Sequence, residues 1–452
     1  MRLHGWKAAW LLLLAGVITL LIAVGVAAWA IPGFRQGNAA TAAGAALAYG
    51  VLGAAVLGLA WVVRYKPKVF AVGLFWCAVA WGLAEAAIAI AMPELAMLRF
   101  RWLDSHRYHH IAPANQTMFK YHHYADGTPF HMRTNEDGLR TEYTRASFRA
   151  HAQRVVVMGD SFVFGFGERQ KHALPQVMDR IFGEEARGGD VAVMNAGIVS
   201  YSPFLGKQLF DGIIRHYTPD VVLYCLDPTD FGDDIKYARL ASEREGKVWF
   251  PDEDPEPRYF GAVIELAAFY SRLLPAGRAV VRAFTYPFDF LRKYLLDGAE
   301  PNGDYYAFRV RVGDAIEYNR YFIYRHPPEV LEPFFQNTLG HLNQLAAMVE
   351  ETGATFVLVV VPRFHHWNPD ASKDYWESDL YSVKEPYQFA YLDFFDRVKD
   401  ELHYPVVNLL PAFESAQTYP LTIPGDAHWN MAGNRVAARA LSDYLLREGY
   451  VR

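Results

Sequence analysis

Cysteine is nearly missing from this chain: there are two in 452 residues. Cys77 sits in an apolar run and Cys225 in a Val, Leu and Tyr run that reads as a buried strand, which excludes a disulfide framework between them. Charge is scarce in the first hundred residues, with seven Lys or Arg and two Asp or Glu against 37 and 47 in the remainder, so the two parts carry net +5 and −10. The acidic part lacks the basic footprint of a nucleic-acid binder, and a hydrophobic content of 52% excludes a disordered chain. No phosphate-cradling glycine loop with its lysine is present. Neither a cofactor nor a metal is expected. The length exceeds the roughly 250–300 residues at which one core stops growing, so several domains are expected.

No residue is charged between Lys7 and Arg35, none between Arg35 and Arg64, and only Glu85 interrupts Val69 to Met92. Each run passes the roughly 20 residues a membrane-spanning helix needs, so three transmembrane helices are expected within 1–96. Arg2 and Lys7 flank the first and Arg64, Lys66 and Lys68 fill the second connection, whereas the first holds only Arg35; the positive-inside rule then puts the N-terminus inside and the large C-terminal part outside. Ala42, Ala46, Gly50, Ala54 and Gly58 form a small-residue stripe suited to close helix packing, within this unit or against another membrane protein.

Residues 97–150 form a juxtamembrane segment, with a hairpin expected over 118–134 and its turn at Asp126-Gly127. From 151 apolar runs alternate with amphipathic stretches. Strands are expected near 154–158, 191–194, 221–226, 355–361 and 405–409, and helices near 172–186, 205–217, 329–352, 386–403 and 431–447. Continuous apolar strands buried on both faces imply an open parallel sheet between helices, an α/β domain built from 151–235 and 329–452. Residues 236–328 interrupt it as an aromatic-rich inserted subdomain or lid.

Gly159-Asp160-Ser161 follows the first of these strands, at the carboxyl end where open α/β sheets bind ligands. Asp426-Ala427-His428-Trp429 follows the last, about 265 positions later. A serine hydroxyl becomes a nucleophile when an imidazole takes its proton, and a carboxylate fixes the imidazole tautomer. Ser161 is therefore the candidate nucleophile, His428 the base and acid, and Asp426 the orienting group. The oxyanion would be met by the backbone N–H of Ser161 and one from the loop around Ser200.

VVVMGDSFVFGFG (Val155 to Gly167), NAGIVSYSP (Asn195 to Pro203), LDPTDFGDD (Leu226 to Asp234) and DAHWNMAGN (Asp426 to Asn434) resemble, in order, the sequence blocks of the SGNH, or GDSL, hydrolase superfamily. NEDGLR (Asn135 to Arg140) resembles the lead-in of its membrane-anchored bacterial members. The resemblance covers roughly 135–235 and 330–450. It implies a flavodoxin-like three-layer sandwich and serine-based acyl transfer, often of acetyl groups on glycans; the Asp-x-His-Trp form is similar to the SGNH-like domains of alginate acetylation. The family glycine of the second block falls at Ser200, the family asparagine of the third at Thr229, and the acid precedes histidine by two positions in place of three. Thr229 would then supply a hydroxyl donor to the oxyanion, and Asp227 beside it would repel the developing charge unless it points away or is paired. A slow or specialised enzyme follows.

His365 and His366 follow the fourth strand, on the edge of Ser161, and are candidate substrate contacts. His106, His109 and His110 have helical spacing and His122, His123 and His131 follow, but a packed or interfacial surface explains them more simply than a metal. Asp230, Asp233 and Asp234 read as a cap and turn. The functional expectation is a membrane-tethered SGNH-type acyl-ester hydrolase or O-acyltransferase in a bacterial inner membrane, its domain periplasmic, its substrate a cell-envelope glycan and its helices free to dock an acyltransferase. The alternative is a catalytically silent glycan-binding or assembly subunit of a membrane complex.

Overall fold

Continuous burial along the apolar runs decides the architecture. In the computed structural model, which describes Tyr65 and residues 103–120, 130–185, 190–251, 310–317, 320–368, 383–384, 387–424 and 426–452, five runs become parallel strands: β1 (Gln153–Gly159), β2 (Val191–Gly197), β3 (Val221–Leu226), β4 (Thr355–Val360) and β5 (Val406–Asn408). Their order across the sheet is β2-β1-β3-β4-β5, the flavodoxin-like arrangement with its switch point beside β1. Residues 98–255 and 302–452 form the unit that contains it.

Val156, Met158, Val222, Tyr224, Phe356 and Leu358 project into one apolar core, and Val155, Val157, Leu223, Cys225, Val357 and Val359 into another on the opposite face. The helices that close these cores, with the turn that carries Ser161, are α1 (Ser161–Phe164), α2 (Leu174–Glu185), α3 (Pro203–Gly212), α4 (Asp230–Leu240), α5 (Pro328–Glu350), α6 (Phe364–Trp367), α7 (Ala390–Val398) and α8 (Met431–Arg447). The helix expected over 205–217 stops at Gly212 and ends in a 3-10 turn over Ile214–Tyr217. The one expected over 386–403 is α-helical only over α7, with 3-10 turns on either side.

Thr117–Lys120 pairs antiparallel with Phe130–Arg133, as the hairpin expectation requires; its Asp126-Gly127 turn lies outside the described residues, as do His122 and His123. The helical spacing of His106, His109 and His110 is not realised. Leu103–Ser105 pairs with His109–Ile111 in a tight antiparallel hairpin, and His109 has a left-handed φ of 62°. His106 stacks on Trp249 with ring centres 4.2 Å apart, so these rings pack.

Residues 252–309, most of the aromatic-rich stretch, also lie outside the described residues. On its flanks α4 runs on to Leu240, and Phe250, Tyr321, Phe322 and Tyr324 are buried in the core that holds Val222 and Leu358. The three expected membrane spans within 1–96 fall outside too; among the described residues no helix is long and apolar enough to cross a membrane. Leu223, fully buried in the central strand, tests the packing: Leu223→Ala should cost about 2–5 kcal/mol through lost contacts and a residual cavity. Urea unfolding measures it, and a loss below about 1 kcal/mol would contradict a closed core at this point.

Candidate active site

The turn from β1 into α1 is built around Gly159, whose φ of 149° puts it outside the usual range of other residues. A Cβ there would stand 2.7 Å from the Cys225 carbonyl oxygen, so glycine lets β1 end against β3. Asp160 caps α1 by accepting the Phe162 N–H at 2.9 Å. Ser161 is therefore held at the carboxyl edge of the sheet, 8% exposed.

At the other end of the chain, residues 421–430 fold back on themselves. Ile423 N–H donates to the His428 carbonyl at 2.9 Å and Asn430 N–H to Leu421 at 3.0 Å, and the Asn430 side chain caps α8 by accepting from Ala432 and Gly433. This brings His428 Nε2 to 2.8 Å from Ser161 Oγ and its Nδ1 to 2.5 Å from Asp426 Oδ1. Asp426 Oδ1 also accepts the His428 backbone N–H at 2.8 Å. One carboxylate oxygen thus fixes both the backbone and the ring of a residue two positions away, which makes the shorter Asp-x-His spacing workable. With Nδ1–H donated to the carboxylate, the Nε2 lone pair faces the serine hydroxyl. Burial alone would raise Asp426, but the charge of His428 and the hydrogen bonds from it hold the carboxyl below its ordinary value. Phe162 and Phe166 close on the imidazole at 5.0 and 4.8 Å.

Ser200 has a left-handed backbone, φ 61°, the conformation glycine adopts most readily, and among the described residues its N–H has no acceptor. Ser161 and Ser200 backbone N–H groups are thus the candidate oxyanion donors. Thr229 departs from expectation: its hydroxyl donates to Asp227 Oδ1 at 2.5 Å and its N–H to the same oxygen at 3.0 Å. That hydroxyl is committed to the carboxylate two residues before it and does not point a donor at an oxyanion.

Asp227 is paired, and by a residue sequence reasoning missed. Arg363, just past β4, donates Nε to Asp227 Oδ2 at 2.7 Å and Nη2 to Oδ1 at 2.5 Å, with both side chains almost fully buried. Burial would push the Asp227 carboxyl up, yet the Arg363 charge and hydrogen bonds hold it below its ordinary value. The guanidinium also lies 4.5 Å from the centre of the Phe162 ring. The only sequence signal is positional: Leu226 pairs with Val360 in the sheet, so charged residues shortly after each strand share one edge.

His365 and His366 lie on α6, 8% and 7% exposed. His366 Nδ1 is 3.0 Å from the Arg363 N and Nε2 is 2.7 Å from the Gln388 carbonyl; His365 packs edge-on against Tyr324. The expected substrate contact from this pair is replaced by support for Arg363 and packing. Asp230, Asp233 and Asp234 are likewise buried within α4's first turns. Asp233 pairs with Arg320 at 3.0 Å, and Asp234 accepts the Phe204 N–H at 2.8 Å and the Thr338 hydroxyl at 2.7 Å.

Asp160, Asp227 and Asp230 each bring a carboxylate oxygen within 4.8 Å of the others, a spacing that a cation could bridge. Both Asp227 oxygens face Arg363, however, and Asp160 accepts from Phe162 N–H and faces Ser161 Oγ at 3.2 Å. At Asp160 and Asp227 the protein's own donors and guanidinium thus serve the charge that a metal would otherwise meet, whereas Asp230 accepts only the Asp227 N–H at 3.1 Å and its Oδ1 has no partner among the described residues. Asp160 is pushed up to about 7 by burial and then by the Asp227 charge, and Asp230 well above its ordinary value by burial and its acidic neighbours.

Removing the counter-charge should be severe: Arg363→Met strands a buried carboxylate and should cost about 3–5 kcal/mol, whereas Arg363→Met with Asp227→Asn should recover most of that loss. Denaturant unfolding of both variants checks it, and equal stabilities would refute the pairing. Burial pushes Asp234 up to about 7, from about 4 in an unfolded chain. Its stabilising contribution is fully present below the unfolded value and lost as pH rises through the folded one. Asp234→Asn should therefore fall behind wild type in Tm at pH 5 and gain on it by pH 8; a pH-independent difference would refute the shift.

No protein-family profile and no curated protein matches the chain. Similar solved structures include TesA (13% identity, TM-score 0.34, covering 65% of this chain and 98% of that one). Another is the lipase/acylhydrolase from Enterococcus faecalis (12%, 0.34, 66% and 97%). A third is a catalytic mutant of Axe2, an acetylxylan esterase from Geobacillus stearothermophilus (13%, 0.33, 67% and 97%). Likenesses at TM-scores this low decide nothing about chemistry, which rests on the contacts described above.

Proposed function

We propose that this chain is a membrane-tethered serine acyl-ester hydrolase or O-acyltransferase of SGNH type acting on a cell-envelope glycan. The observation that carries it is the continuous relay from Ser161 Oγ through His428 to Asp426, at 2.8 and 2.5 Å. In the reaction, His428 Nε2 takes the hydroxyl proton as Ser161 Oγ attacks the acyl carbon, and the carbonyl oxygen becomes an oxyanion between the N–H groups of Ser161 and Ser200. Collapse expels the alcohol, which takes the proton back from His428 and leaves an acyl-serine. Water or a sugar hydroxyl, deprotonated by the same imidazole, then attacks the ester and frees Ser161.

The membrane tether, the periplasmic side and the docking of a partner acyltransferase are supported by the uncharged runs, the Lys and Arg asymmetry and the small-residue stripe from Ala42 to Gly58. One observation favours the silent glycan-binding or assembly subunit: Thr229 gives its hydroxyl to Asp227, leaving two backbone donors and no side-chain donor from that position. A fluorophosphonate probe separates the readings. Wild type should be labelled, with Ser161→Ala unlabelled and His428→Ala labelled at least about 10²-fold more slowly; an unlabelled, folded wild type would establish the silent reading.

A further inference from the structure

The hairpin that opens the described chain reaches into the loop that carries one oxyanion donor. His110 Nε2 lies 2.7 Å from the Val199 carbonyl oxygen. A carbonyl only accepts, so the proton is on Nε2 and the Nδ1 of the neutral ring is an acceptor. His109 Nδ1 stands 2.8 Å from it and therefore carries the donating proton. His110 is half-buried, and desolvation, then the neighbouring His109, push it down to about 3, in keeping with a neutral ring held in one tautomer. The Tyr201 hydroxyl lies 2.9 and 2.8 Å from the carbonyls of Tyr108 and His110, so the hairpin grips the loop on both sides of Ser200.

The consequence follows from the planarity of the peptide bond. In a trans unit the Val199 C=O and the Ser200 N–H are coplanar and point in opposite directions. A hydrogen bond that fixes the carbonyl toward the hairpin therefore fixes the N–H away from it. The loop is registered on the nucleophile turn by Ile198 N–H, which donates to Gly159 O at 3.0 Å. Ser200 holds a φ of 61° and His109 one of 62°, conformations that are unfavourable for a non-glycine residue and persist where surrounding contacts enforce them. We propose that His110, kept in its Nε2–H tautomer by His109, is a positioning residue that aims the Ser200 N–H at the oxyanion through the Val199–Ser200 peptide plane.

This rests on the serine-acyl reading above, and the experiment separates the two. In the full-length protein in detergent, p-nitrophenyl acetate turnover and inhibition by methylboronic acid, which forms a tetrahedral adduct on serine, are measured for wild type, His110→Phe and His110→Gln. His110→Phe keeps a ring but offers no donor; kcat should fall at least about 10-fold, toward the 10²–10³ that loss of a whole donor costs, with KM within about two-fold. The boronate inhibition constant should rise with the fall in kcat. His110→Gln, which restores an N–H, should recover much of both. A folded His110→Phe with kcat within two-fold of wild type, or a Gln variant no better than Phe, overturns the proposal. If His110→Phe does not fold, His109→Phe decides: it removes only the proton that sets the tautomer, and an unchanged kcat refutes the relay. A wild type without turnover or fluorophosphonate labelling removes the serine-acyl reading and this proposal with it.

Discussion

A buried guanidinium makes the rest of the site possible. Three carboxylates, Asp160, Asp227 and Asp230, crowd together next to Ser161 with almost no exposure to water, and burying uncompensated charge at that density is prohibitive. Arg363 meets Asp227 in a two-point contact, a geometry that guanidinium and carboxylate planes match and an ammonium would not. Once Asp227 is satisfied, it can hold both polar hydrogens of Thr229 and so fix the start of α4. His366, reaching the backbone of Arg363 and the Gln388 carbonyl, fixes the origin of that guanidinium in turn. The ion pair thus ties the ends of β3 and β4 together one layer below Ser161.

Much of the fold was legible because a parallel sheet buried on both faces writes itself as short continuous apolar runs. The ends of Val221–Leu226 and the whole of Met431–Arg447 coincide with the expected ones. The positions of Ser161 and His428 were legible for a related reason. Successive strands of one direction put their following loops on one edge, so residues 267 positions apart in the chain meet there. Arg363 was not legible: a single arginine after a strand has no pattern, and its partner lies 136 residues away. The Thr229 hydroxyl was misassigned because a local bond to a carboxylate two positions back competes with any distant acceptor. His106, His109 and His110 show the limit of spacing arguments, since i, i+3, i+4 describes a helix only if the intervening backbone is helical, and here it turns back on itself as a hairpin.

Charge next to the nucleophile also bears on the chemistry. An ionised carboxylate 3.2 Å from Ser161 Oγ would oppose the negative charge that develops on the attacked carbonyl, and in so dry a place the opposition would be poorly screened. Desolvation, however, pushes Asp160 up to about 7, so near neutral pH a large share of the molecules carry it as the uncharged acid. The neutral acid still caps α1 through its carbonyl oxygen, and it no longer repels. Arg363 meets the charge of Asp227, and burial with its acidic neighbours shifts Asp230 in the same direction as Asp160, so the floor of the site carries less negative charge than its three carboxylates suggest. Asp426, held below its ordinary carboxyl value, stands on the far side of the imidazole from Ser161, where on the proposed reading it would stabilise the imidazolium formed as Ser161 gives up its proton.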